Sequence, residues 1–468
     1  MRKQNILNFI VLIGASLFLS SCFVAKNYQR PNLKETQNLY RTDNLPKDSL
    51  SMANISWKEL YTDSYLVKYI EEGLQNNMDI RIAMQQILAA EAYMKQGKAG
   101  YLPSINANTS ITHQELSKNS QFGSFLTDTS IDQYDLTANL SWEADIWGKI
   151  RSTKRASQAS YLQSVAAHQV VKTQLIASIA ETYYHLIALD AQLKIANQTI
   201  NAQEKSVETI KALKEAGQVT QVAVDQYIAQ YNNSKALQID IERAINQTEN
   251  VLSILLGKEP QYIERNSLVS QTFKDDIKLG VPYLLLRNRP DVLTAEYSLI
   301  KAFEYTNVAR SNFYPSLKLT ANGGFQSVKL DEWLNANSLF TNIIGGLTQP
   351  VFNQRKIKTQ YEVAKAQQEQ ALLSFKKALL IAGQEVSDAL YLFNSETKKY
   401  EFRQKEVEAL KNAEKNSEEL LNNGYATYLD LLTARQGALR AELNVVDNKL
   451  QQLTAKVKLY KALGGGWQ

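Results

Sequence analysis

Side chains that could do catalytic or metal chemistry are few in this chain and lie far apart in its sequence. The three histidines are His113, His168 and His185, and the only cysteine is Cys22. A catalytic site needs a nucleophile, a base or metal ligands that converge, and the sequence contains no nucleophile elbow, no HExxH and no phosphate-binding loop. One cysteine also excludes a disulfide framework and a Cys/His zinc cluster. We therefore predict no enzyme activity, no cofactor and no bound metal.

The chemistry open to Cys22 is lipidation, because it follows a targeting segment. Arg2 and Lys3 precede an apolar run over residues 6–19, which is too short for a permanent membrane helix and is typical of a signal peptide. The predicted signal peptide covers residues 1–21. Its Leu-Ser-Ser-Cys ending resembles a bacterial lipobox, in which the cysteine becomes the lipid-bearing first residue. The alternative is an ordinary secretory signal with a chance cysteine at the cut. Phe23, rather than Asp, follows, and by resemblance to enterobacterial lipoproteins this fits the outer membrane.

Two pairs of long helices are predicted from stretches without proline, and a similar turn joins each pair. The first pair spans residues 149–216 and 221–256, and its turn carries Gly217 and Thr220. The second pair meets at a turn with Gly424 and Thr427. Glycine just past a helix end takes the left-handed conformation at low cost, and threonine can cap the next helix. A helix of about 67 residues would be about 100 Å long, so we expect a rod or part of a tube.

The segments between the helices change to the period of a β-strand. Asp135–Ala144 alternates between polar and apolar residues, which predicts a strand with one face of each kind. With a partner from Ser104 to about Leu116 it makes a β-hairpin over residues 104–144, and a second hairpin is predicted over 314–349. Such strands occur in soluble sandwiches and in membrane barrels, and the targeting segment favours a barrel. Four strands cannot close a barrel and an open edge cannot face lipid, so several chains would share one barrel.

Together these features resemble the TolC family of outer-membrane channel proteins, closest to its OprM/NodT lipoprotein branch. Each matching motif is weak alone, but the set covers the mature chain in the family's order. The motifs are Cys22, Tyr28-x-Arg30-Pro31, Tyr-Leu-Pro-Ser at 101–104, Asp-Ile-Trp-Gly-Lys-Ile-Arg at 145–151, Arg-Pro-Asp-Val at 289–292, Pro-Val-Phe at 350–352 and the end 459–467. The resemblance implies a mainly α-helical fold with β-hairpins and a twofold internal repeat. Three copies would share a twelve-stranded β-barrel that continues into a periplasmic α-helical barrel.

The resemblance also implies a division of the chain and a role. Residues 22–60 would form a lipidated arm and equatorial segment, 61–257 the first repeat, 258–289 an equatorial linker, 290–463 the second repeat and 464–468 a tail. The homotrimer would be the exit duct of a tripartite efflux pump, anchored in outer-membrane lipid. It would dock with a periplasmic adaptor and an inner-membrane transporter of RND type. A net charge of +5, from 52 basic and 47 acidic residues, indicates no nucleic-acid partner.

The resemblance further assigns residues at the tips of the helical hairpins. Leu429 falls on the family's constricting leucine at the periplasmic mouth, although it could instead be a leucine that packs between helices. The family's gate carboxylate falls at Thr433, and the nearby acid in this chain is Asp430. On a helix Asp430 points about 100° away from Leu429, so it would line the pore less directly or pair across helices. The adaptor would dock at the tips, unless these are merely good turn sequences. The tip residues concerned are Gly217, Thr220, Gly424 and Thr427.

Two alternatives stay open from the sequence. A lipid-anchored coiled-coil scaffold without a pore would account for the helices but has no use for the two-faced strands. Within the family, the duct could carry organic compounds or metal ions. Copper and silver ducts are paired with methionine-rich systems, whereas Met52, Met78, Met84 and Met94 do not cluster here. This difference favours organic compounds such as drugs.

Overall fold

A computed structural model describes residues 24–32, 55–271 and 289–467 of the chain. The predicted signal peptide, Cys22, the arm between residues 33 and 54, and residues 272–288 of the linker therefore lie outside the described residues. The helices are α1 Trp57–Leu60, α2 Ser64–Asn76, α3 Met78–Ala99, α4 Lys149–Glu215, α5 Gln221–Leu255, α6 Pro290–Ser311, α7 Lys356–Asn422 and α8 Tyr428–Ala462. The strands are β1 Ser104–Glu115, β2 Ser130–Ala144, β3 Ser316–Ser327 and β4 Leu339–Thr348.

The two helical hairpins have the same helix lengths. Helices α4 and α7 contain 67 residues each, and α5 and α8 contain 35 each. The predicted first hairpin, 149–216 and 221–256, agrees with the observed bounds to within one residue. Proline removes a helical hydrogen bond and collides with the preceding turn, so its absence from these stretches allows such lengths. No helix among the described residues is both long enough and apolar enough to cross a membrane.

The four strands form one antiparallel sheet in the order β1-β2-β3-β4. Each strand pairs with its neighbour in sequence, and β1 and β4 are the edges. Strand β2 begins at Ser130, five residues before the alternating stretch, because Ser130 still pairs with Glu115 of β1. The mainly helical fold with a small antiparallel sheet agrees with the prediction from the sequence.

The register gives this sheet two chemically different faces. Paired residues of antiparallel strands point to the same face, so each row of paired residues lies on one side of the sheet. One such row is apolar, and the next, on the other side, is mostly polar. The apolar row is Ile105, Leu140, Ala321 and Ile343, and the row beside it is Ser104, Ser141, Thr320 and Ile344. The apolar exceptions on the polar face are Ile131 of β2 and Phe340 and Ile344 of β4. The predicted two-faced strands are therefore present, with β4 the least regular.

The described chain forms two compact units, and each unit takes segments from both halves of the sequence. The first contains residues 24–32, 88–163 and 295–375 and carries the sheet. The second contains residues 55–87, 164–271, 289–294 and 376–467 and carries both hairpin tips. Buried side chains of the second unit include Leu66, Ile179 and Tyr183.

In the first unit, the arm that follows the predicted lipidation site is bonded along helix α6. The side-chain amide of Asn307 accepts a hydrogen bond from the backbone N–H of Lys26 at 3.2 Å and donates one to its carbonyl at 2.9 Å. Arg30 forms a two-pronged ion pair with Glu296 at 2.6 and 2.5 Å. Val24 is buried, at 5% exposure. The bidentate ion pair and the two backbone hydrogen bonds each fix an orientation, so together they hold the arm in one position on this helix.

The junction from β2 to α4 explains another of the matching motifs. The Asp145 carboxylate accepts hydrogen bonds from the backbone N–H groups of Ile150 and Arg151, both at 2.8 Å, and so caps the first turn of α4. The Trp147 indole donates to the Pro315 carbonyl at 2.7 Å, which fastens this junction to the start of β3. The strand-to-helix turn is therefore held from both sides.

In the second unit, Arg289 has a similar role at the start of α6. Its guanidinium is buried, bonds Asp291 at 3.0 and 2.6 Å, and donates to the Ala462 carbonyl at 2.9 Å near the end of α8. It also pairs with Glu385 of α7 at 2.7 Å. Burial lowers the pKa of Arg289 while the two carboxylates raise it, and the net direction is upward. This one side chain joins the start of α6 to the end of α8.

Candidate functional site at the hairpin tips

Both hairpin tips are built by the same backbone hydrogen bonds. After α4, Gly217 has φ +72°, its N–H donates to the Lys214 carbonyl, and the N–H of Gln218 donates to the Leu213 carbonyl, both at 2.9 Å. This is the Schellman arrangement, and the tip at Gly424 repeats it with φ +77°. A Cβ atom at either glycine would meet nothing within 4 Å. Larger residues there are therefore opposed by backbone strain and not by lack of space.

The threonines that start the return helices differ between the two tips. Thr427 forms a capping box, because its side chain accepts from the Asp430 N–H and the Asp430 carboxylate accepts from the Thr427 N–H at 2.8 Å. Thr220 occupies the same N-cap position without a side-chain cap bond, and Ala223 stands where Asp430 stands in the other tip. The second tip is thus the more firmly capped.

Asp430 is bonded inside its own helix turn. Its carboxylate also accepts the Thr427 hydroxyl at 2.6 Å, and the Thr427 hydrogen bonds lower the pKa of Asp430. These bonds are local, whereas pairing across helices was one of the two expectations from the sequence. The carboxylate is exposed. Within the described chain, Asp430 is accordingly a helix-capping acid.

Leu429 and Thr433 share one exposed face of α8. Leu429 is 51% exposed, and Thr433, Gln436 and Arg440 follow at the spacing that places helix residues one above another. The buried leucines of this turn are Leu431, at 4% exposure, and Leu432, at 8%. Among the described residues, Leu429 is therefore not buried between helices. The structure brings Leu429 and Thr433 onto one face and leaves Asp430 beside it.

Sequence reasoning missed Arg435, which lies two turns into α8. Its side chain is 9% exposed and pairs with Glu414 at 3.3 Å and Glu418 at 2.9 Å, both on α7 of the same hairpin. It also donates to the hydroxyl of Ser206 on α4, which belongs to the first hairpin. The sequence did contain one sign of this role, because Arg435 is spaced four residues from Leu431 and from Leu439 and so shares a helix face with these two buried leucines. A charge on a core-facing stripe indicates a buried partner.

Three further contacts join the hairpins beside Arg435. The Tyr227 hydroxyl of α5 donates to the Tyr428 carbonyl at 3.1 Å, and burial raises the pKa of Tyr227. The Gln436 amide donates to Gln230 at 2.8 Å. Leu432 completes an apolar cluster whose other buried members belong to the first hairpin. We call Arg435 with these three contacts the inter-hairpin lock. A cleft of about 590 Å³ opens between the hairpins next to it.

Comparison with known proteins identifies the family. The family model described as "Outer membrane efflux protein" matches residues 69–258 and 281–465. The chain belongs to the outer membrane efflux protein family. This outer membrane efflux protein is 28% identical over 461 residues to the solvent efflux pump outer membrane protein SrpC of Pseudomonas putida, covering 97% of each chain. It is 27% identical over 458 residues to the cation efflux system protein CusC of Escherichia coli O6:H1, again covering 97% of each. Among solved structures, the open-state MtrE outer membrane channel of Neisseria gonorrhoeae superposes with a TM-score of 0.84 at 25% identity, covering 96% of this chain and 99% of MtrE.

Family membership confirms the resemblance and the outer-membrane location predicted from the sequence. Outer membrane efflux proteins are channels, and the chain is not an enzyme. Membership in this family of channels also excludes the alternative of a lipid-anchored scaffold without a pore. Within residues 24–32, 55–271 and 289–467, no three His, Cys, Asp or Glu side chains come together in a way that could hold a metal ion. The relatives include a solvent duct and a cation duct, so the family alone leaves the cargo class open.

Proposed function

We propose that three copies of this protein form the exit duct of a tripartite efflux pump. Four strands from each copy would make a twelve-stranded barrel in the outer membrane, and the helical hairpins would continue the duct through the periplasm. The observation that carries this proposal is the sheet: one apolar face, one mostly polar face and two open edges.

The apolar face of the sheet is exposed in the single chain. Ile105 is 65% exposed, Ile343 71% and Leu347 66%. So large an apolar surface needs a cover, and hydrocarbon is the cover that suits a signal-bearing outer membrane protein. Backbone groups at the free sides of β1 and β4 cannot stay unpaired in lipid. Pairing β4 of one copy with β1 of the next satisfies both edges, and the family's barrel closes after three copies.

Two adjacent positions of β2 test the barrel. Leu140 lies between Ile105 and Ala321 on the apolar face, and Ser141 lies between Ser104 and Thr320 on the polar face. We expect Leu140→Arg to cost about 2–4 kcal/mol near the membrane midplane and to reduce the yield of heat-modifiable trimers on gels. The control, Ser141→Arg, places the same side chain in a watery lumen and should assemble normally. Equal damage from both substitutions would contradict a membrane barrel.

The periplasmic gate is proposed at the exposed face of α8. Three Leu429 side chains meeting on the trimer axis would give a dry constriction, with Thr433 one turn further along the same face. Asp430 would lie at the rim of this constriction and not on the axis, since its carboxylate is held by Thr427. Opening would require the second hairpin to move away from the first, which breaks the inter-hairpin lock.

The periplasmic adaptor is proposed to dock at the tips. Both tips present open backbone around Gly217 and Gly424, and Tyr425 is 83% exposed beside the latter. An exposed tyrosine supplies a large, stiff contact surface of the kind that anchors interfaces. A photocrosslinker at Tyr425 or Gln218 should capture the adaptor and leaves in place the two glycines, whose positive φ disfavours larger residues. Failure of both positions to capture any adaptor in working pumps would leave the tips as turns only.

Lipid on Cys22 is proposed as a second attachment to the outer membrane. Cys22 stands two positions before Val24 in the sequence, and Lys26 and Arg30 of the following arm bond to α6. Acyl chains add apolar anchoring in proportion to their buried CH₂ groups. The attachment would hold each copy at the membrane surface while the shared barrel assembles.

The proposed cargo is organic compounds delivered by an RND-type transporter, as the name of SrpC suggests for that relative. Metal ions are the second candidate, because CusC is named a cation efflux protein. Expressing this protein in strains that lack either duct separates the two. Restored tolerance of solvents and dyes supports the first, and restored tolerance of copper and silver supports the second.

A further inference from the structure

The polar face of the sheet carries a row of four asparagines at one level. The register pairs Asn106 with Asn139, Asn139 with Asn322, and Asn322 with Asn342, so every strand contributes one. Asparagine is depleted in strands, which makes four at a single level a costly choice. Asn106, Asn322 and Asn342 are exposed and Asn139 is half-buried, so water reaches the row.

The rows on either side of these asparagines are also uncharged. One is Ser104, Ser141, Thr320 and Ile344, and the other is Asn108, Thr137, Gly324 and Phe340. The amide side chain is neutral at every pH and offers both donors and an acceptor. Around the row, the wall can therefore bond water or polar solutes but exerts no charge of its own.

The nearest charges on this face of β2 stand symmetrically about Asn139. Asp135 lies four residues to one side and Glu143 four to the other, about 13 Å each way along the strand. That distance exceeds the screening length of about 8 Å at physiological ionic strength. The Glu143 carboxylate is also paired with Lys149 at 3.0 Å, and it faces Lys318 across the strands. Both features weaken any field that reaches the asparagines.

We infer that Asn106, Asn139, Asn322 and Asn342 form an uncharged, hydrogen-bonding stripe of the channel wall, past which solutes of either charge move without selection. The inference rests on the proposed function, because it takes the polar face as the lumen. Strands of a barrel tilt by about 35–45°, so three copies would give three slanted stripes and not a flat ring. Any charge selection by the duct then has to occur elsewhere along its length.

Thiol labelling of the full-length trimer in lipid vesicles tests the stripe. Cys22 is the only native cysteine, so a Cys22-lipidated protein gives little background. Two membrane-impermeant methanethiosulfonates are used, one carrying a sulfonate and one a trimethylammonium group. The ratio of their labelling rates is divided by the ratio for free cysteine, which removes their intrinsic difference. A wall potential of one kT would shift this normalised ratio about sevenfold, because the two reagents respond in opposite directions.

We expect Asn139→Cys to react with both reagents at a normalised ratio within about threefold of one. Ala138→Cys, the matched neighbour on the apolar face, should stay unlabelled. Gln326→Cys removes the amide that donates to Asp135 at 2.8 Å and places the thiol beside that carboxylate. Its normalised ratio should therefore favour the cationic reagent by about fivefold or more. Asn106→Cys repeats the measurement on β1 and covers the case in which the Asn139 variant assembles poorly.

The remaining outcomes overturn the inference in distinguishable ways. A strong preference of both asparagine-to-cysteine variants for one reagent sinks the uncharged stripe but leaves the duct intact. Failure of both variants to react with either reagent removes the row from the conducting path. Labelling of Ala138→Cys together with protection of Asn139→Cys would reverse the two faces, and the proposed barrel would fall with the inference.

Discussion

Removing the hydroxyl of Ser206 should loosen the hold of the second hairpin on the first. In the structure this hydroxyl accepts a hydrogen bond from Arg435, the buried cation of the inter-hairpin lock. In the Ser206→Ala variant, Arg435 still reaches Glu414 and Glu418, so no buried charge loses all its partners. The variant therefore isolates the contact between hairpins from the contacts within one.

The expected size follows from the kind of bond that is lost. A hydrogen bond to a charged group contributes about 1.5–3 kcal/mol, and the low end applies because two carboxylates remain on Arg435. About 1.5 kcal/mol is roughly a tenfold change in the ratio of closed to open hairpins. Two neutral hydrogen bonds at about 1 kcal/mol each and the burial of Leu432 remain. The variant should thus open more often without staying open.

Single-channel recording of the purified trimer measures this directly. We expect the fraction of time spent conducting to rise at least about tenfold in the Ser206→Ala variant, because each of the three copies in the proposed trimer carries the weakened lock. Arg435→Gln should raise it further, because it also weakens the pairing within the second hairpin. Thr209→Val is the matched control, since the Thr209 hydroxyl lies one turn away on α4 and donates to the Lys205 carbonyl of its own helix. If Ser206→Ala conducts no more often than Thr209→Val while trimers remain intact, the lock does not hold the duct closed.

Four other variants and a change of pH test the remaining expectations. Leu429→Ser should raise the conductance of the free channel and admit large antibiotics in cells, and conductance at the closed level would move the constriction elsewhere. Thr427→Ala should cost about 1 kcal/mol of local stability and speed amide exchange at the second tip, whereas Thr220→Ala, which loses no cap bond, should change the first tip less. Because the folded tip lowers the pKa of Asp430, the stabilisation from its carboxylate is present at neutral pH and is lost as the pH falls below about 4. Protection at the second tip, measured as the exchange rate relative to the intrinsic rate at each pH, should therefore fall there even in the unaltered protein. Cys22→Ser should abolish labelling with radioactive palmitate and slow removal of the signal peptide, and unchanged labelling would exclude lipidation at this residue.

The helices and strands were predictable because their signals are local. The absence of proline and the glycines at Gly217 and Gly424 mark the helix ends, and the observed first hairpin differs from the prediction by one residue. Strict alternation over Asp135–Ala144 predicted a strand with one face in an apolar environment and the other in a polar one. The start of β2 was missed because Ser130 is in the strand only through its pairing with β1, which no pattern in β2 itself reveals.

The contacts of Arg435 could not be predicted from local sequence signals, because they depend on distant chain segments. An arginine on a long polar helix is ordinarily solvated, and its acceptor Ser206 is 229 positions away in the sequence. Asp430 shows the converse. A carboxylate beside a constricting leucine suggests a pore-lining acid, yet the Thr427 three residues earlier binds it locally, and the capping-box spacing was visible in the sequence.

The motifs that reveal the family contain residues that bond one structural element to another, and this explains why they say little about cargo. Arg289 ties the start of α6 to the end of α8, Asp145 caps α4, and Arg30 fastens the arm to α6. Each is fixed by several simultaneous bonds, so its type cannot change without loosening a junction. Among the described residues, Leu429 has no comparable set of bonds, so if it forms the proposed gate, a substitution there is expected to change what passes without changing the fold. The contacts of the motif residues hold the fold together and carry no information about the solute, so under the gate proposal the residues that distinguish solvents from cations are to be sought on the exposed face of α8 that carries Leu429 and Thr433.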